Sequence, residues 1–514
     1  MPPWPPQAGY GDFQDERRLT QEQIRTIAAW VRAGRPEGPL SDIPAPPHFT
    51  EGWQLGPPDM VLDASRPFAM PASGPDVFWN FAFRPDLKAT RYVRAIEIQP
   101  GVEGRQNIHH ANLLIDRMGS TRRLGDGFYA MDFTINENPF DPDGHFLFWK
   151  PGTLPYCEPD GFAWRLDPGN FLVLNTHLQP SGKVEHVAPR IGLYFSDKPP
   201  SRFPILVQLE DDEALDIPAG ARDFVVSDDF RMPVDADLLA VYPHAHYLGK
   251  LLEAYATLPD GSRKWLIRIP DWDLNWQAVY RYREPVFLPK GSVVSMRYQY
   301  DNSIANPRNP NRPPKRVRGG NQATDEMAHL WLQLLPRDRG DHRREIQEAA
   351  MRHRLDKHPN DFSAHLNLGA ILMSRLDMQG AVKILECAVR IDPLRPEAHD
   401  MLGAALQSLG LFQAGMEQFR IASQADPDYI NARYDYAKAL ARTGDFDKAI
   451  ENFRPVVTTF PNSARMHTQF GELLASDGRP SDALAEFEKA LALEPSDPEA
   501  RSQRELLLRR TAGK

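Results

Sequence analysis

Between residues 60 and 337 the apolar positions come in short alternating runs: R-Y-V-R-A-I-E-I, F-L-V-L-N-T-H-L, R-I-G-L-Y-F, L-L-A-V-Y-P-H-A-H-Y-L and S-V-V-S-M-R-Y-Q-Y. A period of two puts the apolar side chains on one face of a strand. Turn residues separate the runs, as in P-D-G from Pro259 to Gly261. The pattern predicts antiparallel sandwiches, and the span is too long for one small sandwich. The proline-rich stretch from Ser196 to Pro204 reads as a hinge, which predicts one sandwich over 60–198 and a second over 199–337. The basic, proline-rich run N-P-R-N-P-N-R-P-P-K-R-V-R-G-G reads as a solvated loop.

Further on the period becomes helical and the chain repeats itself. Pro359, Pro393, Pro427, Pro461 and Pro495 are 34 residues apart each time. Gly369, Gly403, Ala437 and Gly471 recur at one offset, Ala381, Gly415, Ala449 and Ala483 at another, and Leu385, Phe419, Phe453 and Phe487 at a third. Small residues let paired helices approach, a large one fills the gap, and proline ends the second helix. This resembles the tetratricopeptide repeat, four times over, across 359–510, with Pro498 to Arg510 as a capping helix and 338–358 as a linker helix. The resemblance implies a groove for a protein or peptide partner. Gly415 stands where the repeat usually has alanine and is expected only to weaken its helix slightly. His365, His399 and His467 are expected to be ordinary surface or groove residues.

In the first 37 residues Leu19, Ile24, Ile27, Ala28 and Val31 fall on one helical stripe, with Gly34 as a stop. One amphipathic helix is not a domain, and 38–59 reads as a linker. The net charge of -9 and the lack of a basic block give nucleic-acid binding no electrostatic support. No apolar run is long enough to span a membrane. Two cysteines, Cys157 and Cys387, exclude a disulfide framework.

Five histidines in the sandwich region carry the chemistry. His109 and His110 are adjacent in N-I-H-H-A-N-L-L, so a regular strand would point them to opposite faces. Either they are unrelated, or the backbone bends and both reach one ion. His177 ends the run V-L-N-T-H-L, and His244 and His246 share a strand face in Y-P-H-A-H-Y-L-G-K. H-x-H alone is a weak metal signal. Met327, in T-D-E-M-A-H-L-W-L, reads either as core filler or as a soft ligand.

The ordered set H-H, lone His, H-A-H-Y-L-G and T-D-E-M resembles the copper type II, ascorbate-dependent monooxygenases, among them the peptidylglycine and dopamine hydroxylases. The resemblance implies two jelly-roll-like sandwiches with one copper each. His109, His110 and His177 match the electron-transfer copper; His244, His246 and Met327 match the catalytic copper that meets oxygen. It further implies insertion of one oxygen atom from O2 into a C–H bond, with an ascorbate-like or cytochrome electron donor. The arginine that grips a substrate carboxylate in the peptide-hydroxylating members is Tyr242 here, and the residues after the ligand methionine are His329 and Trp331. With Tyr242, His329 and Trp331 lining the pocket, the expected substrate is a small apolar or neutral organic molecule, not a glycine-extended peptide.

The opening M-P-P-W and the helix after it resemble the C-terminal half of a class I cytochrome c, in which Met1 would be the axial haem ligand. No C-x-x-C-H is present, so haem c is expected only in a longer form of the protein. That form would carry a signal sequence, which this sequence lacks, and work in the periplasm or outside the cell. Two other functions compete with the hydroxylase: a repeat-based binding scaffold with a catalytically degenerate copper platform, and a zinc hydrolase, which leaves Met327 unexplained.

Overall fold

The structure, a computed structural model, describes residues 4–45, 52–101, 103–117, 121, 127–129, 144–322, 324–338 and 340–512. It divides into two compact units, 1–350 and 351–514.

The first half of unit one contains β1 (Met60–Asp63), β2 (Phe68–Met70), β3 (Val77–Phe83), β4 (Arg91–Gln99), β5 (Ile108–Asp116), β6 (Gly127–Tyr129), β7 (Phe148–Trp149), β8 (Trp164–Leu166), β9 (Phe171–Leu178), β10 (Glu185–Val187) and β11 (Arg190–Ser196). They form antiparallel sheets of order β1-β11-β4-β8 and β6-β3-β9-β5-β7, with a small β10-β2 pair. Val93, Ile98, Trp164, Ile191 and Leu193 from the first sheet share one core with Phe81, Leu113, Leu172 and Leu174 from the second. Burying these faces is the main stabilising term, at roughly 1.5–3 kcal/mol for each large side chain.

The second half contains β12 (Ile205–Glu210), β13 (Asp216–Ile217), β14 (Phe224–Arg231), β15 (Ala236–His244), β16 (Gly249–Thr257), β17 (Arg263–Ile269), β18 (Tyr280–Leu288), β19 (Val293–Tyr300), β20 (Val317–Arg318) and β21 (His329–Pro336). Its sheets run β12-β21-β15-β18 and β14-β19-β16-β17, again antiparallel. In β14 the alternation is plain: Val226 and Phe230 are buried, while Val225, Asp229 and Arg231 face out. Leu238, Val241, Leu330 and Leu332 of one sheet meet Ala254, Val294, Met296 and Tyr298 of the other.

Residues near the N-terminus belong to this second sandwich. Phe13 is buried against Tyr280 and Tyr282, with ring centroids 5.4 and 5.0 Å away. Trp4 meets Tyr280 edge-on at 5.7 Å, and the backbone bonds Gln7 N to Arg268 O and Gln14 N to Arg281 O are both 2.8 Å. Helix α1 (Gln21–Arg32) starts in a capping box between Thr20 and Gln23 and stops before Gly34, whose φ is +82°. Its stripe is the one expected from the sequence, but Ile24, Trp30 and Val31 lie exposed.

Helix α2 (Arg343–Lys357) puts Ile346 into the core of the second sandwich. Unit two is helical throughout: α3 (Phe362–Ser374), α4 (Met378–Ile391), α5 (Pro396–Ser408), α6 (Phe412–Ala425), α7 (Ile430–Thr443), α8 (Phe446–Thr459), α9 (Ala464–Ser476), α10 (Pro480–Leu493) and α11 (Pro498–Ala512). The second helix of each repeat ends at 391, 425, 459 or 493, two residues before the repeating proline. A Cβ on Gly369 would lie 2.5 Å from Leu385, and one on Gly403 or Gly471 2.7 Å from Phe419 or Phe487, so the small–large pairing is steric.

Two expectations for this unit are corrected. A Cβ on Gly415 would lie 2.7 Å from the carbonyl oxygen of Gly403 and 2.6 Å from Gln407, so glycine there permits a backbone approach and is not merely a weak helix former. His365, His399 and His467 are not surface residues. They are buried at 6, 4 and 6% exposure. His399 bonds Gln418 Oε1 at 2.7 Å and the Pro393 carbonyl at 3.1 Å; His467 bonds Glu486 Oε2 at 2.6 Å and the Pro461 carbonyl at 3.0 Å. His365 reaches the Asp361 carbonyl at 2.8 Å.

Candidate metal centre

Strand β5 carries a β-bulge at its histidines. Ile108 pairs with Leu178 and His110 with His177, leaving His109 as an extra residue in the ladder. The core side chains of β5 are therefore Ile108, Ala111, Leu113 and Ile115, a step of three and then steps of two. Without the bulge His109 would share the core phase of Ala111. With it, both imidazoles reach the outer face, beside His177 across the ladder.

The three rings converge. His109 Nδ1 and His110 Nδ1 are 3.1 Å apart, the ring centroids of the trio are separated by 5.1–5.2 Å, and their donor atoms lie within 4.8 Å of one another. Asp76 Oδ2 takes His177 Nε2 at 2.7 Å, and Phe78 stacks on that ring at 4.6 Å. The carboxylate fixes the tautomer and leaves His177 Nδ1 with a lone pair. Burial first, and then its neighbour His177, holds His109 down at about 4, and His110 lies well below the usual imidazole range for the same two reasons. His177 is lowered by burial, against the pull of Asp76. Three neutral imidazoles are what a metal ion requires.

The second group stands on the outer face of the β12-β21-β15-β18 sheet. Tyr242 pairs with Trp331 and His244 with His329, so these four share a face, while Val241, Leu330 and Leu332 point into the core. His244 and His246 rings lie 5.2 Å apart. His244 Nδ1 bonds Gln277 Oε1 at 2.7 Å, and His246 Nδ1 bonds the Asp325 carbonyl at 3.1 Å. Both partners are acceptors, so each Nδ1 carries the proton and each Nε2 keeps its lone pair. Burial lowers both histidines.

Glu326 fastens the Met327 segment to this pair. Its buried carboxylate accepts the backbone N–H groups of His246, Leu248 and Met327, the last two at 2.9 Å. Burial pushes it up to about 8, against the pull of those three donors. The Met327 carbonyl accepts the Tyr300 hydroxyl at 2.7 Å. His329 Nε2 is taken by Asp212 Oδ2 at 2.8 Å, and Glu210, Asp212 and His329 form a second group able to hold a cation. His329 thus has its own carboxylate partner in Asp212. Met1 lies outside the described residues.

Sequence reasoning missed Asp76, Gln277 and Asp212, which orient His177, His244 and His329, and it read Glu326 only as a supporting or surface group. It missed Phe148 as well, which lies 5.9 Å from His110 and 5.0 Å from Tyr242 and so touches both groups. The Tyr242 hydroxyl is donated to Gln277 Oε1 at 2.7 Å. Phe148 also borders a cleft of about 1010 Å³ with Lys150, Tyr156, Glu158, Trp276 and Arg281. Burial raises Glu158 to about 7 there, and Arg281 stacks on Tyr156 at 3.8 Å.

Residues 401–464, within the helical unit, match the tetratricopeptide-repeat family model. Among solved structures, a MamA protein is 27% identical over 31% of this chain and 95% of its own, with a TM-score of 0.28. YrrB, described as a repeat protein with an unusual peptide-binding site, is 21% identical over 32% of this chain and 84% of its own, with a TM-score of 0.29. A thermophilic repeat protein of Thermus thermophilus is 20% identical over 32% and 91%, with a TM-score of 0.27. No curated protein matches the chain in sequence.

Proposed function

We propose that the sandwich unit is a two-copper monooxygenase of jelly-roll type that hydroxylates a C–H bond with O2 and an external reductant, and that the repeat unit holds a protein partner. The observation that carries this reading is the bulged His109–His110 pair meeting His177, with the donor nitrogens of all three within 4.8 Å of one another. The donor set suits copper: three imidazoles in one group, and in the other two imidazoles with Met327 on a segment whose backbone Glu326 ties to that of His246. Bound copper would supply one-electron transfer at the first group and oxygen activation at the second.

The chain's own residues do the rest. Asp76, Gln277 and the Asp325 carbonyl hold the rings in the binding tautomer before any ion arrives. Glu326 keeps Met327 beside His246. Phe148 and Tyr242 stack in sequence from His110 to His244, with ring centroids 5.9, 5.0 and 6.1 Å apart along the row. With its hydroxyl committed to Gln277, Tyr242 offers an aromatic wall, and with Trp331 it favours an apolar or neutral substrate over a carboxylate.

A second reading, a scaffold whose sandwiches bind metal without turnover, draws on the repeat match. One experiment separates the two. Anaerobic loading with Cu(I) should give about two coppers per chain, and X-ray absorption should show a sulfur ligand that Met327→Ala removes. Ascorbate-driven oxygen uptake should then be lost in both Met327→Ala and His109→Ala. Two coppers with no uptake under any reductant would favour the scaffold, and one copper or a preference for zinc would refute the hydroxylase.

A further inference from the structure

The first helices of successive repeats are joined by polar contacts along one row: Tyr429 to Asp400 at 3.5 Å, Tyr434 to Gln469 at 3.0 Å, Thr468 to Asp497 at 3.2 Å and Gln503 to Glu472 at 3.0 Å. Asp400 is the anomaly in this row. It is 8% exposed, its Oδ2 has only the long bond to the Tyr429 hydroxyl, and its Oδ1 has no partner. A buried carboxylate without a cation or donors is costly. Its surroundings add negative charge. Asp435 on α7 and Glu397 on α5 both act on Asp400 electrostatically. The nearby cations are committed elsewhere, Arg395 to Glu397 at 3.2 Å and Lys438 to Asp435 at 3.8 Å. Among the described residues none forms an ion pair with Asp400. Burial, with Asp435 second, accordingly raises this carboxyl to about 8.

We infer that Asp400, with Tyr429 and Asp435, forms a cation-binding site between α5 and α7 that takes the lysine or arginine side chain of a bound peptide. This rests on the reading of the repeat unit as a peptide-binding array and names the charge its partner carries. A guanidinium or ammonium group would supply the missing donors and the missing charge together.

The test uses the full chain and a phage-displayed library of random twelve-residue peptides. Selected peptides should share a lysine or arginine. For a synthetic copy of one, replacing that residue with norleucine or citrulline should weaken binding at least tenfold. Asp400→Asn, an isosteric change, should cause a similar loss, and the two changes together should cost little more than either. Circular dichroism checks that the variant keeps its helices, and Asp435→Asn should give a smaller loss. Binders without a basic residue, or binders indifferent to Asp400→Asn, would remove this site and leave the peptide-binding array in place. A library that yields no binder would remove both.

Discussion

His109 Nδ1 and His110 Nδ1 stand 3.1 Å apart although the two residues are sequence neighbours on a strand. In neutral rings one Nδ1–H donates to the lone pair of the other, and a bound cation would take the place of that proton, while burial, first of all, disfavours a further proton that would charge either ring. The bulge in β5 therefore builds a position that an ion is suited to fill.

Asp76 tests how far the site is prepared in advance. Its carboxylate accepts His177 Nε2–H at 2.7 Å and orients the ring. Asp76→Ala should weaken copper binding at the three-histidine group by about 10–100-fold, read by competition with a chromophoric Cu(I) chelator. The second group should be unaffected. Unchanged affinity at the first group would mean that Phe78 stacking alone holds the ring.

Gly415 tests the repeat packing. Helix propensity alone predicts that Gly415→Ala stabilises by up to about 1 kcal/mol. The 2.7 Å approach of a Cβ to the Gly403 carbonyl predicts the opposite sign. The variant should lose about 1–3 kcal/mol, the usual cost of overpacking, measured by urea unfolding of the helical signal. A gain in stability would show that the α5–α6 contact relaxes freely.

Asp400 sets a pH dependence. Its carboxyl, ordinarily near 3.8, is raised to about 8 by burial and then by Asp435. A group raised on folding contributes stability that is fully present below its unfolded value and lost as pH rises through its folded one. The repeat unit should therefore melt lower at pH 8.5 than at pH 5, and Asp400→Asn should flatten that difference. Scanning calorimetry of the full chain at both pH values reads it. Equal slopes for the two proteins would place the pH dependence elsewhere.

The repeats were legible because a period of 34 acts on five prolines and three sets of packing residues at once, and the structure ends its helices two residues before those prolines. The histidines that converge on β5 and β9 were legible as candidates because imidazoles clustered in otherwise apolar strand runs are unusual. The residues that orient them were not. Asp76 and Gln277 reach His177 and His244 from 101 and 33 residues away, and no local pattern marks such a partner. Phe13 was missed for a similar reason. It lies in a loop-like stretch with no period, yet it is buried against strands more than 250 residues later. His399 and His467 were misplaced because an imidazole on a helix looks solvated until the carbonyl six residues back is seen to accept its proton.

The extra residue in β5 also means that the site is recorded as a flaw in an otherwise regular ladder. Ile108–Leu178 and His110–His177 would be consecutive pairs if His109 were absent. Deleting that one residue would mend the sheet, restoring an unbroken inside–outside alternation from Ile108 to Ile115. The shortened protein should tolerate heat at least as well as its parent and have lost the capacity to load its first metal. Selection for robustness alone would erase this residue, so its presence marks a demand on the strand other than folding.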